Sequence, residues 1–492
     1  GQLTYVGNQS YSGGTVISAG VVQVGNNTTT GSLGTGAVNN AGILRFHRSD
    51  DSLVVPNIIS GAGSVQCGVI TGGTLPAVTT LSGINDFTGA ITINSGGLRI
   101  TRAQALGSGN KTITMTNGTN GNCRLLLDGT AAAIQIPSSV SYVISNQNLT
   151  YPAIINEAGH NSIAGNISLT NGGGATRVRV DGGSLVLSGQ ITPAVSGRIL
   201  MLDGVGQGTL SGGLKNAGST VALEKHGNGN WEMIGSAHTY TGTTTVMAGR
   251  LRIASSLSSK VIVQAGVLEI VGDLNQGADV ELQSTGRLEI RVDDTWTVNQ
   301  AVSLAGDLVI LGTGPVARGQ SRTIINKTSA GPIVGIFSGK SEGSSFVVDG
   351  VNWTISYQGG DGNDVVISTP PLSPIEQWRM TRFASLENAG DAADLADPDR
   401  DGIVNLLEYA TNSHPTLANQ SPGILDKQGA VMTFFYTKNT AATDVTYIVE
   451  WSDSLHSTWS TVGVVISQQG NLVTATIPAT VGRRFVRLRV ER

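Results

Sequence analysis

Charge is what this sequence has least of. Only 13% of its 492 residues are Asp, Glu, Lys or Arg, about half the usual globular share of ~25%. With 30 basic against 34 acidic residues the net charge is −4. No basic stripe exists to neutralise phosphates, which excludes nucleic acid as a partner. Aromatics make up 5% of the chain, and all six Trp lie at or beyond residue 231, a poor supply for a glycan-stacking row. No apolar run reaches the ~20 residues of a membrane span. Only Cys67 and Cys123 are present, too few to indicate a redox compartment. Each alternates with apolar neighbours, so both are expected in a core. The six histidines are scattered without metal-ligand spacing.

What is plentiful is glycine, 67 residues of it, beside a hydrophobic content of 39%. That apolar content is too high for a disordered chain. The glycines lack the every-third-residue period of collagen, and each would cost a helix interior about 1 kcal/mol relative to Ala. A large, soluble, β-rich chain of two or three domains remains. The chain begins at Gly1 with no charged-then-apolar leader, which is expected of an exported chain after signal-peptide removal.

Composition divides the chain. Residues 1–370 hold 60 of the 67 glycines but only 41 of the 64 charges. The break falls at Thr369-Pro370-Pro371-Leu372-Ser373-Pro374, a joint that neither a helix interior nor a central strand would carry. The expected domains are 1–369, 370–420 and 421–492.

The first of these repeats itself. Tyr11, Phe87 and Tyr240 each open one pattern: Gly at +2, apolar or Thr at +4, apolar at +6, Gly at +9, apolar at +11 and +13. The second half, Gly-x-apolar-x-apolar, recurs at Gly20, Gly42, Gly96, Gly183, Gly249, Gly266, Gly286 and Gly306. Alternation on both sides of each Gly reads as two short strands meeting at a corner, with Gly in a φ that other residues avoid. One corner every ~20 residues is solenoid spacing, because each coil buries its inward residues only by stacking on the next. The fold class is therefore all-β: a parallel β-helix, or β-solenoid. At ~20 residues per coil and ~4.8 Å per strand its rod would be roughly 80–90 Å long.

The segments YSGGTVISAGVVQV, FTGAITINSGGLRI and YTGTTTVMAGRLRI resemble the autotransporter-associated β-strand repeat of exported bacterial passengers. Leu223-Glu-Lys-His-Gly-Asn-Gly-Asn-Trp231 is similar to the strand that precedes such a repeat. The resemblance runs intermittently over residues 3–310. It implies extracellular or cell-surface architecture and is silent about chemistry. No membrane barrel of alternating strands precedes Arg492, so a passenger that does not export itself is expected.

Motifs of catalysis are weak. Gly339-Lys-Ser341-Glu-Gly343 matches a nucleophile elbow and Gly335–Ser341 falls one residue short of a phosphate loop, but no helical period follows either. Asp50-Asp51 and Asp293-Asp294 read as solvated turn carboxylates rather than a hydrolytic pair. No enzyme is expected. Gly359-Gly-Asp361-Gly-Asn-Asp364 is one calcium nonapeptide without the stacked copies such motifs need, so it reads as a tight turn between two closing strands.

One motif does carry chemistry. Asp397-Pro-Asp399-Arg-Asp401-Gly402-Ile403-Val-Asn405-Leu-Leu-Glu408 fits D-x-D-x-D-G-x5-E at every specified position. Calcium is a hard ion that takes six to eight oxygens. Asp397, Asp399 and Asp401 would give carboxylates, Ile403 its carbonyl, Asn405 the ninth position, and Glu408 both oxygens. Unmetalled, the six acids from Glu387 to Asp401 would repel one another. Ser373-Pro374-Ile-Glu376 is a capping box with Pro at the first helical position, opening a helix through Trp378 and Phe383. The half-site resembles the single EF-hand-like or dockerin-type loops on exported bacterial proteins. A small β-sandwich follows, with strands at 431–436, 445–451, 472–477 and 485–490 and with Trp451 and Trp459 in its core.

The function expected is non-enzymatic: an extracellular structural protein braced by Ca2+. The first strand, Leu3 to Val6, has no charged or helical cap before Tyr11, and uncovered strand edges template pairing with other chains. A head-to-tail homopolymer, a surface fibre, is therefore expected. The alternatives are a monomeric adhesin and a glycan-binding or glycan-processing β-helix, with a cell-surface or matrix polysaccharide as partner. Cys67 and Cys123, nearly three coils or roughly 14 Å of stacking apart, are expected to be free thiols.

Overall fold

A computed structural model describes residues 1–69, 77–116, 122–145, 150–170, 174–235, 238–312, 318–478 and 483–492. The chain divides into two compact units, 1–316 with 321–369, and 317–320 with 370–492.

The first unit is a parallel β-solenoid. Its longest sheet has thirteen strands, from Val54–Val55 to Val334–Gly335, and is flanked by two nine-stranded sheets and shorter ones. Register explains the alternation in the sequence. Val22, Leu44, Val65, Ile91, Ile113, Tyr142, Ile167 and Ile191 are successive partners down one ladder, and all are buried. Each such side chain contributes about 1.5–3 kcal/mol by leaving water, but only because its coil has a neighbour on either side. The unit closes with three antiparallel strands, Ser345–Val348, Val351–Gly359 and Asp364–Ser368. Gly359 and Asp364 pair across the turn where the lone nonapeptide lies.

The coils are longer than expected. Along the thirteen-stranded sheet the step ranges from 17 residues, Thr244 to Val261, to 31, Ser303 to Val334. Fewer coils therefore fit in the same chain: the thirteen strands span roughly 60 Å at ~4.8 Å each, and the two coils stacked before Val54 add roughly 10 Å, short of the expected 80–90 Å.

The repeated glycines prove to serve two purposes. Gly249 has φ +61°, the left-handed corner expected of it, as do Gly20, Gly96 and Gly183. Gly42, Gly266, Gly286 and Gly306 do not have positive φ. At those corners the reason is stacking: a Cβ on Gly306 would fall on the carbonyl oxygen of Gly286, the oxygen that accepts from Asp307 N at 2.9 Å.

The variable positions of the repeat also have a physical cause. Tyr11 Oη shares a 2.7 Å hydrogen bond with Thr15 Oγ1. The fully buried Tyr240 does the same with Thr244, whose Oγ1 lies 2.7 Å from Ser259 Oγ. The repeat that begins with Phe87 has Ile91 at the fourth position, both fully buried. A hydroxyl is present at +4 where the ring brings one and absent where it does not, so no buried polar group is left unpaired.

Three lysines fold inward at strand ends: Lys111, Lys225 and Lys327, all at least nine-tenths buried. Each ammonium bonds only to backbone carbonyls, those of Phe87 and Leu106, of His226, Gly227 and Ala248, and of Ser329, Ala330 and Gly331. The Phe87 carbonyl also accepts from Ser108 N and the Ser329 carbonyl from Asn363 Nδ2, each at 3.0 Å; at the other carbonyls the lysine supplies the partner that a buried polar group needs.

Cys67 and Cys123 are both buried and unbonded to each other. Cys123 Sγ donates to the Thr116 carbonyl at 2.9 Å. Burial, with Cys123 nearby, pushes the Cys67 thiol up to about 12.

In the second unit α1 (Pro374–Phe383) carries the expected capping box: Ser373 N donates to Glu376 Oε2 at 2.8 Å and Glu376 N to Ser373 Oγ at 3.4 Å. A second helix, α2 (Asn405–Thr411), follows the acidic loop. Six strands complete the unit, in a four-stranded antiparallel sheet and a two-stranded one. Their facing side chains, Met432, Phe434, Tyr436, Val449, Val473, Ala475 and Ile477, form its core. Two strands, Gly423–Gln428 and Val465–Gln469, are additional to the four expected; neither has a buried side chain, so neither leaves an apolar alternation to read. Trp451 and Trp459 are half-buried at the margin rather than central. Each is covered by a guanidinium, Arg484 at 3.6 Å and Arg487 at 4.2 Å from the ring centres, an arrangement worth about 0.5–1 kcal/mol where exposed.

Candidate metal centre

The acidic loop is positioned from both sides. Before it, Arg379 on α1 is 2% exposed, donates to the Ala392 carbonyl at 3.1 Å and pairs with Asp394. After it, Asn405 opens α2 and turns its amide nitrogen back to the carbonyls of Asp391 and Ala393, each at 2.7 Å. Inside the loop Arg400 has φ +62° and Gly402 φ +87°, the reversal the Gly was expected to permit.

This turn gathers the carboxylates. One oxygen each from Asp397, Asp399 and Asp401 lie within 4.8 Å of one another, half-buried. Loop amides hold them: Asp401 N donates to Asp397 Oδ1 and Asp399 Oδ1 at 3.2 Å, Gly402 N to Asp397 Oδ2 at 2.9 Å, and Ile403 N to Asp401 Oδ1 at 2.8 Å. Glu408 comes in from α2 with 0% exposure. Its burial, then the charges of Asp399, Asp401 and Asp397, push its carboxyl up to about 7. The site thus concentrates negative charge with no cation among the described residues to match it.

Three buried acceptors here have no hydrogen-bond partner among the described residues: Asp399 Oδ2, Asn405 Oδ1 and Glu408 Oε2. Buried polar atoms in folded proteins are paired with few exceptions, and unpaired ones call for an ion or a water. All three belong to residues expected to bind metal. An all-oxygen donor set suits a hard cation, so the residues present fit one.

The spacing of the motif brings the three aspartates into one cluster; Glu408 is not among the oxygens that lie within 4.8 Å of one another, but it is near enough for the aspartate charges to raise its carboxyl. Asn405 is divided between roles: its nitrogen braces the preceding turn, leaving only Oδ1 for a ligand. Asn419 was not anticipated. It donates its backbone N–H to Asp401 Oδ2 at 2.6 Å and its side-chain nitrogen to Glu408 Oε1 at 3.0 Å. It lies eleven residues past Glu408, and no motif includes it.

The fold and its repeats fit an exported, passenger-type β-solenoid. Comparison with known families agrees: the model of the passenger-associated-transport-repeat family matches residues 1–24, 77–100 and 223–253, the segments that contain Tyr11, Phe87 and Tyr240. No curated protein and no solved structure matches the chain.

Proposed function

We propose that this protein is a non-enzymatic extracellular structural protein, a passenger-type rod with a calcium-braced C-terminal module. The observation that carries the structural reading is the unbroken ladder of thirteen strands. The inward columns of the solenoid pack its core, and outward charges on a neighbouring nine-stranded sheet pair between coils. Arg250 bonds both Glu269 at 2.8 Å and Glu289 at 2.6 Å, while Arg252 reaches Glu232 and, at 3.5 Å, Glu269. Calcium is supported by the unpaired, fully buried Glu408 Oε2 beside three aspartates. A melt in calcium and in EDTA tests it: a ligand at 100 times its Kd adds about 2.7 kcal/mol. A midpoint that does not move removes calcium from the account.

The finer reading is self-association into head-to-tail fibres. The outer edge of the strand Gln2–Tyr5 pairs with no described strand, and Leu3 and Val6 are 54% and 56% exposed. Such an edge is a template for another chain. Sedimentation at high concentration with calcium present decides: fibres support the reading, and monomers alone end it. A polysaccharide partner has one observation in its favour, an open polar groove of about 300 Å³ lined by Gln207, Thr209, Asn230, Glu232, Arg250 and Arg252, among others. Titration with oligosaccharides, followed by Trp fluorescence, tests that alternative.

A further inference from the structure

The metal site has a participant outside its loop. α2 ends at Thr411, and Asn412 takes a left-handed φ of +60°, which sends the chain back toward the acidic turn. Asn419 is where it arrives. Its N–H holds Asp401 Oδ2 at 2.6 Å, and its Nδ2 donates both to Glu408 Oε1 at 3.0 Å and to the His414 carbonyl at 2.8 Å. One residue thus grips the fifth and the twelfth positions of the loop at once, and the His414 bond fixes the side chain that does it.

The geometry at Glu408 shows what the grip achieves. The carboxylate is fully buried with one oxygen held by Asn419 and the other, Oε2, left without a partner near Asp397, Asp399 and Asp401. Without the Asn419 donor, nothing described would hold Oε1 on that side. An aspartate at 419 would lack the donor and bring a further negative charge.

We propose that Asn419 is the positioning residue of this cation site, aiming Glu408 and Asp401 at the ion so that affinity depends on this one residue beyond the loop as well as on the loop itself. The proposal rests on the calcium reading above. Partners that orient metal ligands typically change affinity 10- to 100-fold when removed. A residue that merely ends a turn changes metal-free stability instead.

The test is calorimetric titration of calcium into the full chain after EDTA treatment, with metal-free melts of every variant. Asn419→Ala is expected to weaken calcium binding about 10- to 100-fold. Asn419→Gln, which keeps an amide donor, should recover part of the loss. Thr416→Ala, in the same segment but without a ligand contact, should bind as the original chain does. Should the Ala variant fold poorly without metal, the comparison of Gln with Thr416→Ala still decides, because only the former alters the Glu408 contact. Asn419 variants that bind within twofold of the original chain, whatever their melts, overturn the proposal. An original chain that binds no calcium overturns the calcium reading itself, and the proposal with it.

Discussion

Replacing Lys225 by Met tests whether inward lysines hold the coil corners together. The side chain is 0% exposed, and its ammonium reaches the carbonyls of His226 at 2.5 Å, Gly227 at 2.8 Å and Ala248 at 3.0 Å. Ala248 belongs to the next coil, so one of the bonds is a tie between coils. Met keeps the stem and its packing but strands the carbonyls. Hydrogen bonds to a charged donor contribute ~1.5–3 kcal/mol each and a stranded buried acceptor costs ~1–3 kcal/mol. Against this stands the cost of burying the ammonium, which lowers its pKa to about 8. A net loss of about 1–3 kcal/mol is expected, the cost of leaving buried acceptors unpaired.

The pH dependence has a definite sign. In the unfolded chain Lys225 titrates near ~10.4, above its folded value of about 8, so between these values the unfolded state binds more protons. The lysine's contribution to stability therefore rises with pH across that window and is smallest below pH 8. Urea midpoints at pH 7 and pH 9.5 should show the gap between original chain and variant widening at the higher pH. Equal midpoints at pH 7 would refute the stapling role, and a gap that narrows would refute the depressed pKa.

Thr244→Val removes the shared partner of the buried Tyr240 and Ser259 hydroxyls and should cost ~1–3 kcal/mol, whereas Thr244→Val combined with Tyr240→Phe and Ser259→Ala, which leaves no hydroxyl there, should cost less than Thr244→Val alone. Thermal midpoints of the three chains check the order. Cys67 and Cys123, both buried and unbonded, should be inert to a thiol reagent in the folded protein and yield two thiols per chain in denaturant. Zero thiols on unfolding without reductant would show a disulfide instead.

The sequence by itself determined the solenoid, since a stacked coil must repeat its inward alternation and its corner glycines whatever its neighbours are. It determined the acidic loop as well, because the candidate oxygens fall within twelve consecutive residues and local spacing alone brings Asp397, Asp399 and Asp401 to one turn. Coil length was different: excursions between strands add residues without disturbing the register of inward side chains, so 17 and 31 residues can make the same step. The exposed strands Gly423–Gln428 and Val465–Gln469 were set by pairing with their neighbours, which imposes no apolar pattern on a strand that buries nothing. The destinations of Lys225 and Asn419 were decided only by the tertiary structure. A carbonyl one coil away, or a carboxylate eleven residues back, becomes a partner through the path of the folded chain, and that path leaves no mark in the spacing of the residues it joins.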